Sequence, residues 1–303
     1  MTLALPAHAA PPRWRLALRH RRITLSAAVL LLLALAAAAA PVIATALGTD
    51  ATVVDLYHRL AAPSLGHPLG TDELGRDLLL RLLEGGRVSL LVGVIAAIAA
   101  AIIGTAIGLI AGYSGGAVDA FLMRFTDSVI ALPRLPLLVV LAAVDLTKLG
   151  LPASAAYSDT ISLYRIVLLV ALVGWTLVAR LVRGATLTLR AQDFVRAAIS
   201  LGARPRRIML VHILPNLASP IIVATTLSVG EIILLESVLS FLGLGIEPPL
   251  ASWGNMLTGA QETIGYAPQL ALYPGFLIFV TVIACNFLGD GLQDALDPRA
   301  VRR

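Results

Sequence analysis

Residues 87–119 read RVSLLVGVIAAIAAAIIGTAIGLIAGYSGGAVD, and the 31 residues between Arg87 and Asp119 contain no Asp, Glu, Lys or Arg. A helix needs roughly 20 apolar residues to cross the hydrocarbon core of a bilayer. The stretch therefore predicts a membrane span over residues 88–111. Within it Gly104 and Gly108 form a small-xxx-small pattern, which points to close helix packing rather than ion selectivity.

The same reading extends in both directions. Arg22 and Asp50 enclose 27 residues without an Asp, Glu, Lys or Arg, which predicts a first span over 23–46. A third span over 118–144 contains Arg124, Asp127 and Arg134, with Pro133 and Pro136 as expected kinks. A fourth runs over 161–182. A fifth, over 217–239, carries Glu231 and Glu236, and a sixth, over 270–288, lies inside 27 charge-free residues between Glu262 and Asp290. Of the 303 residues 58% are hydrophobic and 14% charged, with a mean hydropathy of +0.89. A soluble domain carries about 25% charge, and one soluble core of this length could not hide so much apolar surface. The fold class expected is all-α, a polytopic membrane protein of about six transmembrane helices.

Basic loop residues orient the chain. One side collects Arg13, Arg15, Arg19, Arg21 and Arg22 before the first span, and Arg180, Arg183, Arg190, Arg196, Arg204, Arg206 and Arg207 between the fourth and fifth. It also takes Arg299, Arg302 and Arg303 at the end, and Arg124. The other side holds only Arg59, Arg76, Arg81, Arg87, Lys148 and Arg165. Both termini are therefore expected in the cytoplasm. The Arg-rich start followed by Ala44-Thr45-Ala46 also fits a cleaved secretory signal, but its apolar stretch is longer than a usual signal core, which favours a retained span. The division expected is a cytoplasmic tail (1–22), the first span (23–46) and an outside loop (47–87). A core of five spans (88–292) and a cytoplasmic tail (293–303) follow. Residues 76–84 of the outside loop read as a short amphipathic interfacial helix ended by Gly85-Gly86.

Composition excludes several function classes. The net charge is +5, yet basic loops at membrane ends account for it, so no nucleic-acid partner is expected. A single cysteine, Cys285, allows no disulfide framework. His8, His20, His58, His67 and His212 lie too far apart for a metal site, so no metal ligand is assigned. Gly112-Tyr113-Ser114-Gly115 matches the G-x-S-G pattern of an intramembrane protease. The only histidine after it is His212 in a loop, and a serine nucleophile needs a base within reach. No catalytic residue is assigned. Lys148, the only lysine, stands between Thr147 and Leu149, so no Gly-Lys-Ser/Thr loop holds ATP. The chain is expected to bind no cofactor.

The stretch that carries function is the loop over about 190–215. It reads Asp193-Phe194-Val195-Arg196-Ala197-Ala198-Ile199-Ser200-Leu201-Gly202, then nine residues, then His212-Ile213-Leu214-Pro215. Asp193 is a candidate N-cap. Gly202 is placed to end the helix in a left-handed turn, Pro205 to start a second helix, and Pro215 to mark the next break. Ala197 and Ala198 offer a small, flat face, and Phe194, Ile199 and Leu201 an apolar edge. Such a knob suits a groove on a soluble partner or, equally, a bed of lipid headgroups.

Ala-Ala, three residues, Gly, nine residues, two more and Leu-Pro resembles the signature loop of ABC importer permeases, at Ala197, Ala198, Gly202, Leu214 and Pro215. Arg196 stands where that motif has glutamate, and His212 where it often has an aliphatic residue. A narrower group, the dipeptide/oligopeptide/nickel permeases, is resembled at His67-Pro68-Leu69-Gly70-Thr71-Asp72, Gly112-Tyr113-Ser114-Gly115-Gly116, Leu239-Ser240-Phe241-Leu242-Gly243, Ser252-Trp253-Gly254 and Asp294-Ala295-Leu296-Asp297-Pro298-Arg299. The resemblance covers residues 13–299 and is to the second of the two permease subunits, although residues 145–164 are longer than usual there. It implies a type I importer fold in a bacterial cytoplasmic membrane and a heterodimer with a second permease. It also implies two ATPase subunits that hold ATP and magnesium, docked at the loop, and an extracytoplasmic solute-binding protein. The cargo implied is di- or oligopeptides, with nickel complexes, glutathione or oligosaccharides as alternatives. A channel or secondary transporter is the rival class, but it shows inverted repeats that are not visible here. Ionisable groups within spans are costly and default to functional candidates. Asp127, Arg134, Glu231 and Glu236 are therefore candidates for lining a polar route, or else structural partners.

Overall fold

Each long apolar run forms a helix, because lipid leaves backbone N–H and C=O groups no partner but one another. The computed structural model describes residues 21–296, apart from 151, 153 and 155–157. Arg13, Arg15, Arg19, Arg299, Arg302, Arg303 and most of both expected tails lie outside the described residues. The elements are α1 (Arg21–Ala38), α2 (Ala40–Leu47), α3 (Leu78–Ser114), α4 (Gly116–Ala131), α5 (Arg134–Ala142), α6 (Asp159–Arg190), α7 (Asp193–Ser200), α8 (Pro205–Phe241) and α9 (Gln269–Leu296). Among the described residues the one β feature is an isolated bridge between Thr71 and Asp77.

Five helices, α1, α3, α6, α8 and α9, are long and apolar enough to cross a membrane. The expected third span is instead two helices, α4 and α5, bent by 85° at residues 132–133, so a sixth crossing exists only if the bent pair is one span. Pro133 is the cause: it follows Leu132, whose extended backbone ends α4, and it caps α5. The first span is shorter than expected. It turns at Ala39, and Pro41 then sits in the first turn of α2.

The central pair is α3 against α6. At 1.5 Å per residue the 37 residues of α3 reach roughly 55 Å, beyond both faces of the hydrocarbon core. Gly104, Gly108 and Gly112 lie directly on α6: a Cβ there would fall 2.5 Å from the Trp175 carbonyl oxygen, 2.4 Å from that of Ala179 and 2.7 Å from Thr186 Cβ. The small-xxx-small pattern is therefore a packing seam. α8 packs on α3 and α9, and α1 lies on α9 and α3. An apolar core among α3, α5, α6 and α8 includes Val92, Ala96, Leu138, Val170 and Leu239. Large apolar side chains such as Leu32, Leu35, Phe121 and Phe276 face outward, as lipid-facing surface does.

Residues 76–84 are no separate interfacial helix. Asp77 caps α3 by accepting from the Leu80 N–H at 2.8 Å, and the helix runs on through Gly85 and Gly86. These glycines are packing positions, not a stop: a Cβ on Gly86 would lie 2.8 Å from the buried Trp253 ring. The Trp253 Nε1–H donates to the Leu82 carbonyl at 2.9 Å.

The bundle has two distinct ends. At one end stand α7, Tyr113 with the Arg190 guanidinium 5.6 Å from its ring centroid, and Gly291 near the end of α9 against Ile23 near the start of α1. Residues 48–77 and 242–268 cover the other.

Candidate functional site

The knob at the first end is fixed by backbone geometry. Gln192, not Asp193, is the N-cap of α7, and no side chain caps it; Asp193 is its first residue, where a carboxylate favours the helix dipole. Gly202 has φ of +79°. Its N–H donates to the Ile199 carbonyl at 2.9 Å, and the Ala203 N–H to the Ala198 carbonyl at 3.0 Å. This is the Schellman pattern, which consumes the orphan carbonyls of the last turn. Pro205 then opens α8, with Arg204 in extended backbone as its cap.

α7 stands on a buried foot. Val195 is fully enclosed and packs with Leu109, Val178, Ile208, Ile213 and Leu217. Val195 and Ala198 lie three apart, so one helix face carries both inward. The expected flat alanine face is therefore half right. Ala197 is exposed, whereas Ala198 is buried against the subunit itself. The outward edge is Phe194 (43% exposed), Ile199 (48%) and Leu201 (87%), with Arg196 beside them in solvent. Val195 escaped the sequence reading although its signal was present, in the i, i+3 spacing to Ala198.

The remaining loop residues also have definite places. Residues Ile208–Ile213 form a π-helical segment and Leu214–Leu217 a 3₁₀ turn, both within continuous α8. Pro215 was expected to break the chain. Instead the π segment absorbs its missing N–H and the helix continues. Pro215 is exposed, and Leu214 and His212 are half-buried. The His212 carbonyl accepts from Asn216 Nδ2 at 2.7 Å. Between α7 and α8 lies an open groove of about 650 Å³ lined by Leu201, Ala203, Arg204, Arg207 and His212.

The four in-membrane candidates separate into different environments. Arg134 Nη1 pairs with Glu231 Oε1, joining α5 to the middle of α8, and the side chains stay 35% and 49% exposed. Asp127 is exposed on α4. Glu236 has no exposed surface, so it is corrected from a route-lining candidate to part of an internal polar core. Ser89 Oγ donates to its Oε2 at 3.1 Å and Ser240 Oγ to its Oε1 at 2.7 Å. Those hydroxyls in turn accept from the Trp253 and Ile246 N–H groups, at 3.1 and 3.0 Å. Each serine has one proton, so the carboxylate is the acceptor that completes the chain. Glu236→Leu leaves two buried hydroxyls without an acceptor, at about 1–3 kcal/mol each. Thermal unfolding in detergent should drop clearly for Glu236→Leu and much less for Glu236→Gln; equal melting of all three proteins would refute the bonding scheme. A further pair not foreseen is Arg183 with Asp119, bidentate at 2.5 and 2.6 Å, tying α6 to α4.

The profile of the family described as "Binding-protein-dependent transport system inner membrane component" matches residues 104–302. The chain belongs to this family. The permease is 41% identical to the dipeptide transport system permease protein DppC of Alkalihalophilus pseudofirmus, over 80% of its own length and 75% of that protein. It is 39% identical to the oligopeptide permease OppC of Bacillus subtilis, over 82% of its length and 77% of that protein. It is 41% identical to the glutathione permease GsiD of Pectobacterium atrosepticum, over 80% and 76%. Its fold is similar to that of a chain in an inward-facing structure of the MetNI methionine ABC transporter, with TM-score 0.57 at 16% identity over 72% of this chain and 97% of that one. The permease is thus a multi-pass inner-membrane subunit of an ABC importer, with the helical fold of that class.

Proposed function

We propose that the permease imports short peptides as one half of a heterodimeric pathway whose other half is a second permease. Two ATP-binding subunits, which hold ATP and magnesium, dock at α7, and an extracytoplasmic solute-binding protein delivers the cargo. The observation that carries this reading is the α7 knob. An apolar edge of Phe194, Ile199 and Leu201 stands exposed on a foot buried at Val195, and its aim is held by the Gly202 turn. A rigid lever with an apolar tip is what a soluble motor needs in order to move a membrane helix, and only the four-residue turn over 201–204 separates α7 from α8. The chain itself performs no catalysis. Peptide cargo is supported by dipeptide, oligopeptide and glutathione permeases among relatives about 40% identical. Glutathione is itself a tripeptide.

With α7 in the cytoplasm, residues 21 and 296 lie on the cytoplasmic side and both termini follow. The proposed route runs along the face that bears Arg134 and Glu231, with Asp127 nearer the cytoplasm. A half-exposed ion pair midway along a span is expensive against lipid but suits a wet seam between two subunits. Lipid covers the remaining apolar faces. Affinity capture of the permease from mild detergent should recover a second permease and soluble ATPases. A chain that comes through alone, under conditions that keep control importers intact, would overturn the assignment of partners. Arg134→Leu is expected to lower peptide uptake several-fold, and Arg134→Leu combined with Glu231→Leu to lower it less, because the single change strands a carboxylate in the membrane. Uptake unchanged in both would remove this pair from the route.

A further inference from the structure

Arg81 lies one turn into α3 at the end of the bundle opposite α7, and it is 4% exposed. Its Nε faces Asp72 Oδ2 at 3.4 Å, but its Nη1 is buried and has no hydrogen-bond partner among the described residues. A buried guanidinium N–H is strongly disfavoured unless something accepts from it. Asp72 is already committed elsewhere. Its Oδ1 accepts the N–H groups of Leu74 and Arg76 at 2.8 and 2.9 Å, and its Oδ2 accepts Arg76 Nε at 2.7 Å. One carboxylate thus serves two guanidinium groups.

Arg81 lines a cavity of about 200 Å³ with Arg76, Asp72, Glu73, Asn255 and Thr258. A water takes about 30 Å³ of liquid volume, so the cavity has room for a small solute. Its neutral polar walls are in use. Asn255 Oδ1 accepts from the Ser252 N–H at 3.0 Å, and its Nδ2 donates to the carbonyls of Ile246 and Leu250 at 3.2 and 2.8 Å. Thr258 Oγ1 donates to the Ser240 carbonyl at 3.3 Å. Arg81 therefore brings to the cavity wall a guanidinium with one N–H group, at Nη1, unpaired among the described residues, and Glu73 is a second acidic residue in the same walls.

We propose that this cavity binds a small zwitterion, with the ligand carboxylate on Arg81 and its ammonium group towards Glu73. The guanidinium fork matches a carboxylate in geometry and charge. A short peptide with free ends has this chemistry. The identity of the ligand rests on the peptide-import reading, while the carboxylate preference rests on Arg81. On that reading the cavity faces the outside, apart from the route along Arg134 and Glu231, and is a station that cargo meets first.

The test is calorimetric titration of the whole importer in nanodiscs, without binding protein, using dialanine, its C-terminal amide and its N-acetyl derivative. Dialanine should bind, and the amide should bind about tenfold more weakly, the scale of one charge-assisted hydrogen bond. Arg81→Gln should erase the difference between acid and amide, because glutamine keeps hydrogen-bond donors but loses the charge that favours a carboxylate. Glu73→Gln, a change at a half-buried wall with little risk to folding, should erase the penalty for N-acetylation and leave the acid–amide difference intact. Equal binding of acid and amide to the natural protein, or discrimination unchanged in both variants, would overturn the site. Uptake of labelled dialanine is measured alongside. Uptake without acid–amide discrimination sinks the site and leaves the import reading standing. Discrimination that Arg81→Gln erases, with no uptake, upholds the site and sinks the cargo reading.

Discussion

A Gly202→Val permease is expected to assemble at normal levels and to transport at no more than about a tenth of the natural rate. The residue has φ of +79°, and a Cβ built on it meets nothing within 4 Å. Space is therefore not the obstacle. The obstacle is backbone energy, since an L residue in the left-handed region costs roughly 1–2 kcal/mol, and a β-branched side chain is among the least tolerant of it. Valine escapes that cost by moving to an ordinary backbone region. The move breaks the bonds from Gly202 N–H to Ile199 and from Ala203 N–H to Ala198. α7 then loses its fixed angle to α8, and the tip formed by Phe194, Ile199 and Leu201 is turned away from the ATPase docking proposed for it. Nothing in the spans changes, so expression and detergent behaviour should stay normal. Uptake into proteoliposomes and the stimulation of ATP hydrolysis by loaded binding protein should fall together. Gly202→Asn should keep most activity because asparagine accepts the left-handed turn. Pro205→Ala should cost little, since alanine also fits a first helical turn. A well-expressed Gly202→Val protein with normal uptake would remove the aim of α7 from the coupling step.

The turn at Gly202 is legible in the sequence alone. Gly202 followed by Ala203, Arg204 and Pro205 carries its meaning in local backbone rules, which act over four or five residues. The long apolar runs are legible for a similar reason, since bilayer thickness is an external ruler. What stayed hidden depends on partners far away in sequence. Gly85-Gly86 reads as a helix stop until Trp253 arrives from another segment to lie against it. Glu236 reads as a charge waiting for cargo until Ser89 and Ser240 enclose it. Arg81 reads as one more loop cation, although α3 carries it inside. Pro215 reads as a break because the compensating π turn leaves no mark in composition. The bend between α4 and α5 lies between these cases: Pro133 announces a kink, but nothing in the local sequence gives its size of 85°.

Gly108→Val is expected to abolish the folded permease. Here the backbone conformation is ordinary and the obstacle is space. A Cβ at Gly108 would lie 2.4 Å from the Ala179 carbonyl oxygen, 2.9 Å from Val182 Cβ and 3.0 Å from the Arg183 nitrogen. Two of these atoms are backbone of α6, so no rotamer change relieves the overlap. The two helices must separate, and they share a seam that Gly104 and Gly112 extend one turn to either side. Overpacking a well-filled core costs about 1–3 kcal/mol when side chains can give way. It should cost more here, because separation also loosens Val178 and Val182 beneath α7 and strains the Arg183–Asp119 pair. In membranes small residues let helices approach closely, and no aqueous hydrophobic effect compensates for a lost approach. Gly184→Val, on the exposed side of α6 with nothing within 4 Å of its Cβ, is the matched control. Size-exclusion chromatography of fluorescently tagged proteins in mild detergent separates the outcomes. Gly184→Val should elute as the natural protein does, and Gly108→Val should aggregate or be lost. A single sharp peak for Gly108→Val would mean that α3 and α6 do not pack on this face, and the arrangement of the whole bundle would have to be redrawn.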